Sequence, residues 1–155
     1  MPNWCMNQVT LTGPVEKIKA LTDAIEKNKL LNHLVPMDQD DPEWYTKNIN
    51  AWGTKWEVSD VQFDVSEDGT EISMSFDSAW GPPTTAFKTW GEENVDCTFT
   101  LKYFEPGIGF AGSADWDGEY FNDDELTEEN DPIEYKEFIL DEFGWEEDEE
   151  EEDEE

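Results

Sequence analysis

An α+β fold, an antiparallel sheet with helices on one face, is predicted by three observations on this sequence. Four stretches alternate apolar and outward-pointing residues with the period of two that half-buried strands require. Two more carry apolar residues at helical spacing and fall between strands. Turn-forming residues separate the pieces, so that the chain reads β-α-β-β-α-β.

The first strand runs from Cys5 to Leu11, with Cys5, Val9 and Leu11 on one side. Gly13-Pro14 then opens a helix, with Pro14 at its first position, Glu16 near its positive end, and Val15, Ile18, Leu21 and Ile25 along one stripe. It is expected to end near Asn28. Residues 30–55 predict a long excursion with one short helix near Glu43 to Asn48, held to the domain by Trp44, Tyr45, Trp52 and Trp56. Val61, Phe63 and Val65 alternate, Ser66-Glu67-Asp68-Gly69 supplies a turn, and Ile72, Met74 and Phe76 return. Pro82-Pro83-Thr84 starts a second helix carrying Phe87 and Trp90, closed by Gly91. Val95, Cys97, Phe99, Leu101 and Tyr103 give the last strand of the motif. Two helices covering one face of such a sheet is the ferredoxin-like, split-βαβ plan.

Phe110 to Phe121, with a turn at Asp117-Gly118, predicts a C-terminal hairpin that extends the sheet. Asp131-Pro132 with Glu134 starts a further helix near 132–143, which stops at Gly144. The predicted organisation is a ferredoxin-like domain over 1–121, an acidic extension over 122–145, and an acidic tail over 146–155. All ten tail residues are Asp or Glu, and that composition predicts disorder.

Charge sets the strongest limits on function. The 155 residues hold 41 acidic side chains against nine Lys and no Arg, a formal net charge of −32. Residues 1–114 carry 18 acidic and 8 basic side chains, whereas 115–155 carry 23 and 1. Nucleic acid and anionic membranes are excluded as direct partners, because both are held by cationic side chains. No stretch has the length of a transmembrane helix, and the N-terminus lacks a signal-peptide pattern. Cys5 and Cys97 are read as reduced, inward-facing residues of a cytoplasmic protein.

Catalytic patterns are weak. His33, the only His, sits in the apolar run LLNHLV and has no evident nucleophile beside it. Asp115 starts a calcium-loop-like run, but Tyr120 and Leu126 stand where the loop requires Gly and Glu. Glu105-Pro106-Gly107-Ile108-Gly109 lacks the third glycine of a dinucleotide site and reads as a turn. No enzyme activity, metal or cofactor is expected.

The segments MPNWCMN, VTLTG, AWGTKWEV (51–58), FDSAWGPP (76–83) and YFEPGIGFAG (103–112), in this order, resemble the YubB-type ferredoxin-like domain family of plasmid and phage proteins. The resemblance covers residues 1 to about 120 and leaves out the acidic stretch after 122. It implies the fold already read from periodicity and a phage, plasmid or bacterial source, so a bacterial cytoplasm. It carries no catalytic residue across.

Two surfaces remain as candidates. The shared residues Asn7, Trp52, Gly53, Lys55, Trp56, Trp80, Glu105 and Gly109 suit a pocket, or else the Trp residues are core and Lys55 pairs with Glu105 or Glu57. The acidic residues Asp123, Asp124, Glu125, Glu128, Glu129, Asp131, Glu134, Glu137, Asp141 and Glu142 suit contact with a basic, nucleic-acid-binding host protein in the manner of a DNA mimic. Self-repulsion favours a monomer.

Overall fold

The computed structural model describes residues 3–146. Its elements are β1 (Trp4–Thr12), α1 (Val15–Glu26), α2 (Leu30–Leu34), α3 (Trp44–Trp52), β2 (Gln62–Val65), β3 (Glu71–Ala79), α4 (Thr84–Glu93), β4 (Thr98–Glu105), β5 (Phe110–Trp116), β6 (Phe121–Thr127) and α5 (Pro132–Phe143). Six strands form one antiparallel sheet in the order β2-β3-β1-β4-β5-β6. The first four follow the split-βαβ order, and β5 and β6 lengthen the sheet beyond β4.

Strand alternation divides the sheet into two faces. Cys5, Val9 and Leu11 of β1, Ile72, Met74 and Phe76 of β3, and Phe99, Leu101 and Tyr103 of β4 point to the helix face. There they bury against Ile18, Leu21 and Ile25 of α1, the leucines of α2, Trp52 of α3, and Phe87 and Trp90 of α4. The second face carries Met6, Gln8, Thr10, Ser75 and Asp77. Phe104, next to the inward Tyr103, points to that second face. There it meets Ala111 of β5 and Tyr135 and Ile139 of α5 in a separate apolar cluster. So α5 covers the β4-β5-β6 end of the second face and leaves the β2-β3-β1 end open.

Several boundaries differ from the sequence reading. Pro14 caps α1 from outside at φ −60° and ψ 149°, and the first helical residue is Val15. The excursion holds two helices, α2 and α3. Gly91 lies inside α4, not at its end: a Cβ there would stand 3.0 Å from the Trp116 ring, so the glycine serves close packing. Val95 is exposed, and Cys97 only precedes β4. The hairpin's second strand pairs as far as Thr127 with Phe110, so the boundary drawn at 121 cuts through the sheet. Gly112 makes that addition fit. A Cβ there would meet the Tyr103 hydroxyl at 2.4 Å, and the Tyr103 ring lies across β5 to reach β6. The acidic run from residue 147 onward is outside the described residues.

Candidate functional site

The shared motifs assemble into one corner of the domain, mainly as scaffolding. Trp52 is 1% exposed, and its indole N–H donates to the Val35 carbonyl at 2.8 Å. Gly53, at φ +89°, lets the chain turn against the Pro82 carbonyl, 3.0 Å from where a Cβ would sit. The Thr54 hydroxyl donates to the Ala79 carbonyl at 2.7 Å. AWGTKW and SAWGPP therefore brace each other.

Asn7 belongs to the same brace. Its side-chain amide donates to Ser78 Oγ at 2.8 Å, and that hydroxyl donates to the Gly81 carbonyl at 2.6 Å. Asn7 Oδ1 is buried without a donor among the described residues. Trp80 is held at φ +74°, rare for a bulky side chain, and its N–H donates to the Asn3 carbonyl at 2.7 Å. The side chain of Asn3 reaches Glu105 at 3.4 Å. Glu105 is fully buried, and its carboxylate accepts the N–H groups of Gly107 at 2.5 Å and Ile108 at 3.0 Å. It ties the β4–β5 turn rather than lining a pocket.

Lys55 pairs with neither Glu105 nor Glu57. Its ammonium sits 4.5 Å from the Trp56 ring centroid and 5.4 Å from that of Tyr45. Trp56 in turn stands 6.4 Å from Trp4. Of the predicted pocket, Lys55 and Trp80 are thus at the surface, and Asn7, Trp52 and Glu105 are buried supports.

Glu57 has a different job. Its carboxylate accepts the N–H groups of Leu31 at 2.7 Å, Asn32 at 2.9 Å and Val58 at 3.1 Å. The first two are orphan donors at the start of α2. Burial raises its pKa above the ordinary range, against the opposing pull of those three donors. A carboxyl raised by folding adds stability below its unfolded pKa and loses that contribution as pH climbs through the raised value. Glu57→Gln removes the titration, so the stability lead of wild type over this variant is expected to shrink as pH rises above the ordinary glutamate range of about 4. Urea midpoints across that rise measure it, and a lead that widens overturns the assignment.

The acidic candidates fall on β6, the following turn and α5. Three have structural partners. Asp123 accepts the Tyr103 hydroxyl at 2.7 Å, Glu142 holds Lys102 at 2.6 Å, and Asp131 caps α5 while its carboxylate accepts the Thr127 N–H at 3.3 Å. Burial, then the Asp123 carboxylate, push the Tyr103 hydroxyl well above its ordinary range. Asp124, Glu125, Glu128, Glu129, Glu134, Glu137 and Asp141 are exposed. Partial burial, then the charge of Asp123, raise the Glu125 carboxyl above its usual range.

Other chemistry is sparse. Burial pushes the Cys5 thiol up to about 12 and the Cys97 thiol to about 11, away from the reactive thiolate. His33 is exposed, and its partial burial lowers its pKa. Among the described residues, no group of three or more His, Cys, Asp or Glu is arranged to hold a metal ion. No helix among them is long and apolar enough to cross a membrane.

Sequence reasoning missed a groove of about 550 Å³ on the open sheet face, lined among others by Trp4, Met6, Gln8, Asp60 and Asp77. Its signal was the even-numbered side of β1, where Trp4, Met6 and Gln8 form an uncharged row.

Fold and surface define a class: a ferredoxin-like α+β domain whose sheet is lengthened at one edge and whose far end is acidic. The chain belongs to the family of ferredoxin-like domains in Api92-like proteins, whose model matches residues 51–155, more than half of it. That match includes the acidic C-terminal segment, so the shared pattern does not stop near 120. The structure is similar to the crystal structure of a protein Api92 from Yersinia pseudotuberculosis, at a TM-score of 0.52 and 10% identity over 81% of this chain and 98% of that one. At that identity the likeness is one of fold. No curated protein matches the chain.

Proposed function

We propose that this chain is a non-enzymatic interaction protein of a phage or other mobile element, acting in a bacterial cytoplasm. Its acidic end engages a basic, nucleic-acid-handling host protein, a defence nuclease being the natural class, and occupies the surface where that protein takes phosphates. The observation that carries the reading is the fixed acidic surface of β6 and α5. Exposed carboxylates stand on a segment anchored through Tyr103–Asp123, Lys102–Glu142 and the Phe104–Tyr135 packing. A rigid array loses less entropy on binding than a free acidic tail. Glu134, Glu137 and Asp141 follow one another along one side of α5 at steps of about 4.5 and 6 Å. With no Arg and few Lys, the chain suits a cationic partner and not nucleic acid itself.

The second reading, a small-molecule or peptide-binding module, is favoured by Lys55 over Trp56 and by the left-handed Trp80. One experiment separates them. Because α5 covers Phe104 and Ala111, deletion of the C-terminal segment would expose apolar surface, so neutralisation of the full chain is the cleaner variant. Wild type, Lys55→Ala, and a variant carrying Asp124→Asn, Glu128→Gln, Glu129→Gln, Glu134→Gln, Glu137→Gln and Asp141→Asn are used as bait in bacterial lysate. Elution runs from about 50 to 500 mM salt. A basic nucleic-acid-handling protein retained by wild type and Lys55→Ala, released by salt and lost with the neutralised variant is the expected result. Retention that ignores salt and neutralisation but fails with Lys55→Ala would transfer the function to the Trp/Lys surface.

A further inference from the structure

The open-face groove has the chemistry of a cation site. Its floor is built in register: Met6 of β1 faces Asp77 of β3, and in the next row Gln8 faces Ser75, which faces Gln62 of β2. Trp4, 43% exposed, Ser59, Asp60 and Phe143, the last residue of α5, are also part of the lining. The volume of about 550 Å³ lies within the range of ligand sites.

Among the described residues, Asp60 and Asp77 are the only charged ones lining it. Neither carboxylate is paired with a cation among the described residues. The two lysines on adjoining elements are engaged elsewhere, Lys55 over Trp56 and Tyr45 and Lys102 with Glu142. Asp60 is held at φ +58°, a left-handed conformation that Asp tolerates better than most residues. Around the two carboxylates are the exposed Trp4 indole, the Met6 thioether, the primary amides of Gln8 and Gln62, and the Ser59 and Ser75 hydroxyls.

The geometry points to a site for a guanidinium group, the arginine side chain of a protein partner. A guanidinium is flat enough to stack on Trp4, is weakly hydrated, and offers five N–H donors to the carboxylates and amide oxygens around it. An ammonium has three donors and a tighter water shell, so it gains less here. This rests on the reading of the chain as a binder of basic proteins and supplies that reading with an anchor on the open sheet face, beside the end of α5 at Phe143. The acidic surface draws the partner in, and the groove takes one arginine.

The probe is N-acetyl-arginine methylamide, titrated into the full chain at about 150 mM salt and followed by amide and indole NMR shifts. The expected result is millimolar binding with shifts at the Trp4 indole and the Gln8 and Gln62 side-chain amides. The lysine analogue binds about fivefold more weakly, and so do Asp77→Asn and Trp4→Phe, while Asp64→Asn, outside the groove, binds as wild type. Shifts spread over β6 and α5, equal binding of the lysine analogue, or equal loss in Asp77→Asn and Asp64→Asn overturn the site. Probe binding in the groove alongside a failed lysate capture would leave the site standing and sink the proposed partner. The reverse pair of results would sink the site alone.

Discussion

Trp52→Ala is expected to lower the stability of the domain by about 4 kcal/mol, a large share of the roughly 5–15 kcal/mol that holds a domain folded. The side chain is 1% exposed, packs between the excursion and the helix face of the sheet, and satisfies the Val35 carbonyl through its indole N–H. Truncation leaves a cavity the size of a bicyclic ring and strands that carbonyl. Trp52→Phe keeps most of the apolar area and loses the hydrogen bond, so about 1–2 kcal/mol is expected from it. Lys55→Ala, three residues on, removes cation–π contacts at a half-buried surface and should cost no more than about 1 kcal/mol. Urea unfolding with matched slopes measures all three. The contrast decides how binding data on this motif are read, because binding lost with Trp52→Ala carries the effect of a destabilised domain, whereas binding lost with Lys55→Ala does not. A Trp52→Ala loss below about 1 kcal/mol would show that the excursion folds independently of its anchor.

The legible part of this fold was its strands. Val9 with Leu11, Ile72 with Met74 and Phe76, and Phe99 with Leu101 and Tyr103 each alternate long enough to fix a buried face, and the structure buries those residues. Asp131-Pro132 and Gly144 marked the ends of α5, because caps are local chemistry. What escaped depends on contacts distant in sequence. α2 is five residues long, too short for a periodic signal, and its N-terminal donors are satisfied by Glu57, 26 residues from Leu31. The Asn7–Ser78 bond spans 71 residues and the Asn3–Glu105 bond 102, so no local pattern could reveal that Asn7 and Glu105 are braces. Adjacent Tyr103 and Phe104 did carry a signal for α5: two neighbouring buried aromatics on one strand require cover on both faces of the sheet.

Charge neutralisation at the acidic end is expected to act on association far more than on dissociation. A negative array draws a basic partner through long-range attraction, which raises the encounter rate by about 10- to 1,000-fold and is screened by salt. Replacing Asp124, Glu128, Glu129, Glu134, Glu137 and Asp141 by their amides should therefore slow association about 100-fold near 50 mM salt, with dissociation changed by only a few-fold. Near 500 mM the two association rates should converge. Stability moves in the opposite direction. These side chains are exposed, and the chain carries a net charge of −32, so removing six negative charges relieves repulsion within the folded domain. Burial raises the Glu125 carboxyl first, and the Asp123 carboxylate beside it adds to the rise. A variant that associates slowly yet unfolds at higher urea than wild type would mark the acidic end as a surface kept for recognition at the expense of stability. Equal association rates at low salt would make the same carboxylates a solvated edge that keeps β6 from pairing with other chains.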